Sequence, residues 1–254
     1  MRGRKALRPL SEVADAAVEV FTDRGFRAAG ISDVSAALGL SHGALYTYVD
    51  SKRALFYLAL LRVLRPEAVS ALTLPVTAPP PQELVEFLEA WVAEQTTSAI
   101  LEASGHPGTQ LHDVGLGDII DAHYGFIERH LPAVRLVDRC AADLPELAQW
   151  FFVQRRRTIL AQIGEYLQQQ ISSGQLRPVP DVPAAARFIV ETIAWFAMHR
   201  HGDPDSAMLG DDACRRTVRH LLLAAFGDTA SPAPSPGGGQ HTGAGFPASD
   251  RPGR

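Results

Sequence analysis

The residues of this chain best suited to chemistry lie between Ile31 and Asp50, in ISDVSAALGLSHGALYTYVD. Within them, Gly39-Leu40-Ser41-His42-Gly43 spells G-x-S-x-G, the spacing of the nucleophile elbow that presents a reactive serine in α/β-hydrolases. The same stretch reads as two short helices joined by a glycine turn, an arrangement that offers a row of side chains to a DNA groove. The two readings need different backbones. An elbow requires a buried strand before the serine, and strands favour Val, Ile, Thr and aromatic residues. Here Ser32-Asp33-Val34-Ser35-Ala36-Ala37-Leu38 is alanine-rich, and Ile31, Val34, Ala37 and Leu38 recur at the spacing of a helix face. Gly39 suits a helix end at positive φ. Ser41 suits the N-cap of a second helix over His42 to Tyr48. These residues therefore predict a helix-turn-helix. A serine hydrolase using Ser41, and a helical ligand-sequestering protein without DNA affinity, are the alternatives.

Other elements must hold this pair in place. Val13, Ala16, Ala17, Val20 and Phe21 form the apolar stripe of a preceding helix, with Ser11 as its N-cap and its end near Arg24-Gly25-Phe26. Packed across the pair, that helix completes a small three-helix core with Ile31, Val34, Leu38 and Leu45. After Asp50-Ser51-Lys52 another helix runs through Leu55, Phe56, Leu58, Ala59 and Val63.

The run from Val13 to Leu60 resembles the N-terminal domain of the TetR family of transcriptional regulators. The resemblance rests on Phe21, Gly25-Phe26, Asp33-Val34, Gly39-Leu40-Ser41, Gly43-x-Leu45-Tyr46 and Ser51-Lys52-x-x-Leu55. It implies an all-α fold: an N-terminal three-helix DNA-binding domain, then a larger helical domain that dimerises and holds a ligand. Carried over by position, the DNA contacts are Ser41, His42, Gly43, Ala44, Tyr46, Thr47, Tyr48 and Lys52. Gly43 lets backbone approach a phosphate. Tyr46 and Lys52 suit phosphate oxygens and fix register, while Thr47 and Ala44 face base edges. The bland alternatives are packed aromatics at Tyr46 and Tyr48 and an idle surface residue at His42. Several positions depart from the common family pattern. His42 stands in place of a frequent Lys, Ala44 of a Thr, Ala29 and Gly30 of a hydroxyl pair, Val49 of a Phe, and Arg53 of a Glu.

Composition limits how DNA could be bound. Among 254 residues, 24 Lys and Arg against 28 Asp and Glu give a formal charge of −4, so any DNA affinity must come from a local patch. Arg2, Arg4, Lys5 and Arg8 supply one as a basic arm over 1–8. Cys140 and Cys214 suggest neither a disulfide framework nor a metal site. His106, His112 and His123, and the pair His199 and His201, lack ligand-like spacing, so no metal and no cofactor is expected. No signal peptide or long apolar span is evident, which predicts a cytoplasmic protein without membrane contact.

The expected domains are the DNA-binding domain over 9–67, with the reading motif near 30–49, and a helical ligand-binding and dimerisation domain over 68–228. Past Pro66 the chain loosens into a proline-rich loop at 74–81. Helical patterns then cover about 82–103, 116–130, 133–141, 145–173, 183–200 and 207–226. Leu144 to Arg177 resembles the long dimer helix of an AefR-like C-terminal domain. The following helix is apolar nearly all round, which predicts burial on two sides and a dimer contact through Phe188, Ile189, Ile193 and Phe196. Ile119, His123, Phe126 and His130 share one helix face; with Trp91 and Phe151 they form the candidate pocket. Its ligand is expected to be a small, largely apolar inducer. The tail over 229–254, rich in Pro, Gly and Ser, is expected to be disordered. Taken together, the reading is a homodimeric, ligand-responsive repressor of a palindromic double-stranded DNA operator, and not an enzyme.

Overall fold

The computed structural model of the chain describes residues 8–104, 114–206 and 208–227, with side chains of 96–104 set aside. Most of the expected basic arm, the tail and the His106–His112 pair lie outside the described residues. Among those described, the fold is all-α, with helices α1 (Leu10–Ala28), α2 (Ile31–Ala37), α3 (His42–Leu45) and α4 (Lys52–Leu64) in the N-terminal part. Then come α5 (Pro81–Ser104), α6 (Leu116–Arg129), α7 (Leu131–Ala141), α8 (Pro145–Ala148), α9 (Arg156–Ser172), α10 (Val182–Ala197) and α11 (Asp211–Phe226). A π-helical turn over Gln149–Arg155 joins α8 to α9 without a break in the rod.

Helix α1 starts at Leu10, before Ser11, so the serine lies inside the first turn and does not cap it. Gly25 interrupts the helix at φ 78°, a conformation that costs a residue with Cβ. An added Cβ there would also stand 3.3 Å from the Arg139 carbonyl, so the glycine serves the packing of α7 as well.

The apolar residues form two clusters, the first of which extends across residue 67. The first takes Val13, Phe21, Leu45, Leu55 and Phe56 together with Leu88, Leu136, Cys140 and Leu147, so α5, α7 and α8 share a core with the N-terminal helices. The second gathers Ile120, Tyr124, Leu167, Ile189, Ile193 and Val218 from α6, α9, α10 and α11. Helix α7 is the seam. Arg139 donates to the Asp23 carbonyl from Nε (3.3 Å) and Nη2 (3.1 Å), and the Arg27 amide donates to Asp143 at 2.7 Å. A guanidinium on the carbonyls near the break in α1 also complements the helix dipole.

Residues 74–80 form the expected loop and Pro81 opens α5; the loop is stitched to the segment that follows α3. The Val76 amide donates to the Tyr48 carbonyl (2.7 Å), the Asp50 amide to the Val76 carbonyl (3.1 Å), and the Thr77 hydroxyl to Asp50 (2.7 Å). The buried Val76 side chain belongs to the same core as Val49.

Candidate nucleic-acid interface and internal cavity

Helix α2 ends in a double backbone cap. Gly39 sits at φ 62°, its amide donates to the Ala36 carbonyl (3.0 Å), and the Leu40 amide donates to the Ser35 carbonyl (2.8 Å). Two residues on, the Ser41 hydroxyl accepts the Ala44 amide (3.3 Å) and opens α3. Ser41 is thus preceded by a helix and a turn, with its oxygen turned to backbone. The strand that a nucleophile elbow needs is replaced by α2, and the hydrolase reading of G-x-S-x-G fails at this point.

The second helix is shorter than the expected span to Tyr48. It is α-helical over His42–Leu45 and then tightens, with the Thr47 amide on Ala44 (3.2 Å) and the Tyr48 amide on Leu45 (2.9 Å). This tightening decides which side chains face out. Ser41, His42, Gly43, Tyr46 and Thr47 are exposed and Ala44 is half-exposed, while Leu45 is buried. His42 and Tyr46 stand edge to face, ring centres 5.4 Å apart. The Thr47 hydroxyl donates to the Ala44 carbonyl (2.7 Å), leaving its methyl and lone pairs outward. A Cβ added at Gly43 would meet nothing within 4 Å, so nothing inside the fold demands a glycine there.

Tyr48 is a correction. Expected at the DNA, it is 2% exposed, and its hydroxyl accepts the Arg8 amide at 2.7 Å. The turn directs the ring inward, where it pins the start of the chain to the three-helix core. Lys52 is half-buried: its Nζ donates to the Arg27 carbonyl (3.1 Å) and lies 4.7 Å from the centre of the Phe26 ring. With Arg53 it places two cations in the first turn of α4, a charge that the helix dipole disfavours and that Glu146 offsets by pairing with Arg53 at 2.5 Å.

A second site lies within the helical domain. A cavity of about 470 Å³ is enclosed by α5, α6, α7, α9, α10 and the π-turn, a size typical of small-molecule sites. Trp91, Ile119, His123, Phe126 and Phe151 line it, as does Leu64 from the end of α4. His130 does not; it closes α6 and packs behind the wall, 4.8 Å from Trp91 and 5.0 Å from Phe126 between ring centres. The Trp91 indole donates to the Leu64 carbonyl (3.0 Å), tying the cavity wall to the helix that carries Lys52. His123 is deep in the protein, yet part of its surface is accessible because it opens on the cavity. Burial, then the nearby charge of Arg155, lowers its pKa to about 4, so the ring is neutral at pH 7.

Sequence reasoning missed the polar part of this wall: Arg155, Arg156, Asp118, Asp138, Glu191 and His199. Phe151, Arg155 and Ile159 recur at four-residue spacing, the one hint that Arg155 shares an inward face.

The expected dimer residues divide. Ile189 and Ile193 are 1% exposed and belong to the second core, which removes them from any dimer contact. Phe196 is half-buried in the same cluster, and its carbonyl accepts from Tyr124 (3.3 Å) and Arg200 (2.6 Å). Phe188, at 57%, and Trp195, at 38%, point out from α10.

The comparisons with known proteins agree with this geometry. Residues 13–57 match the family model for bacterial regulatory proteins of the tetR family, and residues 122–221 match the C-terminal domain of AefR-like transcriptional repressors. Together the two cover more than half of the chain, which belongs to the tetR family. Three solved structures share the fold. The ketosteroid transcriptional regulator KstR2 of Mycobacterium tuberculosis is 18% identical, over 88% of this chain and 97% of that one, with a TM-score of 0.54. A tetR-family regulator of Chloroflexus aurantiacus is 14% identical over 85% and 92%, at 0.51, and PfmR of Thermus thermophilus is 19% identical over 87% and 97%, at 0.50. No curated protein sequence matches the chain significantly. Among the described residues no helix is long and apolar enough to cross a membrane, and no group of three or more His, Cys, Asp or Glu is placed to hold a metal.

Proposed function

We propose that this tetR-family regulator is a homodimeric repressor, acting in the cytoplasm, that binds a palindromic operator and leaves it when a small, largely apolar molecule fills the cavity. One observation carries the DNA half of this reading. The edge formed by Gly43, Tyr46 and Thr47 is exposed, and Gly43 has no internal reason to be glycine. Backbone at a helix start can then reach a phosphate, Tyr46 and Lys52 add phosphate contacts, and Ala44 and Thr47 face the bases. The cavity supports the effector half, since Trp91 joins its wall to the end of α4. An effector acts only through different affinities for two arrangements of the DNA-binding heads. Inverting a 1:99 balance takes about 5.5 kcal/mol of such difference.

The test is a titration of the full chain against a duplex from the region upstream of its own gene, with random duplex as competitor. Specific binding is expected, with log K falling linearly as log salt rises. Equal affinity for both duplexes would remove the regulator reading.

A further inference from the structure

Of the two guanidinium groups on the cavity wall, Arg156 is paired and Arg155 is not. It is half-buried, and among the described residues it makes no ion pair and no side-chain hydrogen bond. Among the described residues none of the acids on the same wall pairs with Arg155. Glu191 pairs with Arg156 and with Arg187 (3.0 Å), Asp138 faces Arg156 and His199, and Asp118 is exposed at the rim. An unpaired guanidinium held partly away from bulk water is costly, and burial lowers the pKa of Arg155 from its ordinary value. Beside it is His123, neutral and with no hydrogen-bond partner among the described residues.

The backbone here is also unusual. The π-helical turn Gln149–Arg155 puts Trp150 and Arg155, five residues apart, on one wall, an offset that an ordinary α-helix turns to different sides. Widened turns of this kind are frequent at functional sites.

We propose that the effector is an amphipathic carboxylate. Its apolar body lies against Ile119, Phe126, Trp150 and Phe151, and its carboxylate is received by the Arg155 fork with the His123 N–H as a second donor. This rests on the effector reading of the cavity and narrows it to one chemistry. A neutral ligand of the same shape fills the apolar volume and leaves Arg155 unpaired, which is where discrimination arises.

The experiment titrates the full chain with straight-chain saturated carboxylates of roughly eight to sixteen carbons, chosen to suit a small-molecule cavity, and with the primary alcohols of equal length. A neutral apolar fluorophore is titrated in parallel, and Trp fluorescence reports occupancy. Each carboxylate is expected to bind about tenfold or more tighter than its alcohol, the scale of a charge-assisted hydrogen bond. Arg155→Gln is expected to abolish that preference while leaving alcohol affinity and the melting temperature near wild type. Arg155→Lys, which keeps the charge and loses the fork, is expected to retain part of it. Arg157→Gln, at an exposed neighbouring position, is expected to change nothing. Equal affinity for acid and alcohol in the wild type, or a preference that survives in Arg155→Gln, overturns the proposal while the cavity still binds apolar molecules. If acid, alcohol and fluorophore all fail to bind, the effector reading falls, and the proposal with it.

Discussion

Tyr46 and Tyr48 are two positions apart, yet the tightened turn after Leu45 sends the first to solvent, at 43% exposure, and the second into the core. Their hydroxyls should therefore fail in different assays. Tyr46→Phe is expected to weaken DNA binding several-fold, about 1 kcal/mol, with an unchanged melting curve. Tyr48→Phe strips the Arg8 amide of its acceptor and is expected to lower unfolding free energy by about 1 kcal/mol, with the salt dependence of DNA binding unaltered. Titration of duplex alongside urea unfolding of each variant separates the two roles. At His123 the folded pKa of about 4 lies below the ordinary 6.5, so the unfolded chain takes up a proton that the folded chain refuses. Stability from this group is present above pH 6.5 and is lost as pH falls toward 4. Roughly 2 kcal/mol of it should go between pH 6.5 and 5. Urea unfolding at stepped pH should show this acid-side slope in the wild type and a shallower one in His123→Leu; equal slopes would contradict the enclosure of the ring. Residue types announced the caps Gly39 and Ser41 in advance, because caps are local chemistry, whereas Ser11, expected to cap α1, lies inside its first turn. Tyr48 and Arg155 were not legible, because their directions depend on a shortened helix and a widened one.

At the scale of elements, the two glycines flanking Ser41 make a matched pair. Gly39 has φ 62° and open space around it, so Gly39→Ala meets no clash but pays for a left-handed backbone, about 1–2 kcal/mol of stability. Gly43 has ordinary helical geometry and the same open space, so Gly43→Ala is expected to leave stability equal or slightly higher. If backbone at Gly43 receives a phosphate, as proposed, the added methyl group stands in its way and DNA affinity should fall about tenfold. Chemical unfolding and duplex titration of both variants check the contrast; a Gly43→Ala chain with full DNA affinity would displace the reading edge from this turn. Helix positions along the chain were legible from the spacing of apolar residues, with shifts of a few residues at most ends. Periodicity did not announce the π-turn at Gln149–Arg155, because Trp150, Phe151 and Phe152 satisfy either helical pitch. Nor did it tell which side of α10 turns inward, because that helix is apolar on both.

Across the whole molecule, the division of α10 makes the dimer testable without touching the core. Its inner side, Ile189 and Ile193, packs against α6 and α9; its outer side presents Phe188 and Trp195, both partly exposed among the described residues. Apolar surface of this kind favours association at about 25 cal/mol per Å² removed from water, and a two-fold partner sets the half-site spacing of a palindrome. The paired substitution Phe188→Glu and Trp195→Glu is expected to give a chain of monomeric mass by light scattering, with unchanged helical content and an intact cavity. Operator affinity should drop by at least about a hundredfold, because two linked heads bind with an effective concentration that a single head lacks. Ile193→Glu is the contrasting case: a charge placed in the second core should prevent folding altogether. A dimer that survives the outer pair would move the interface off α10, and with it the distance between the two reading turns that a palindromic operator must match.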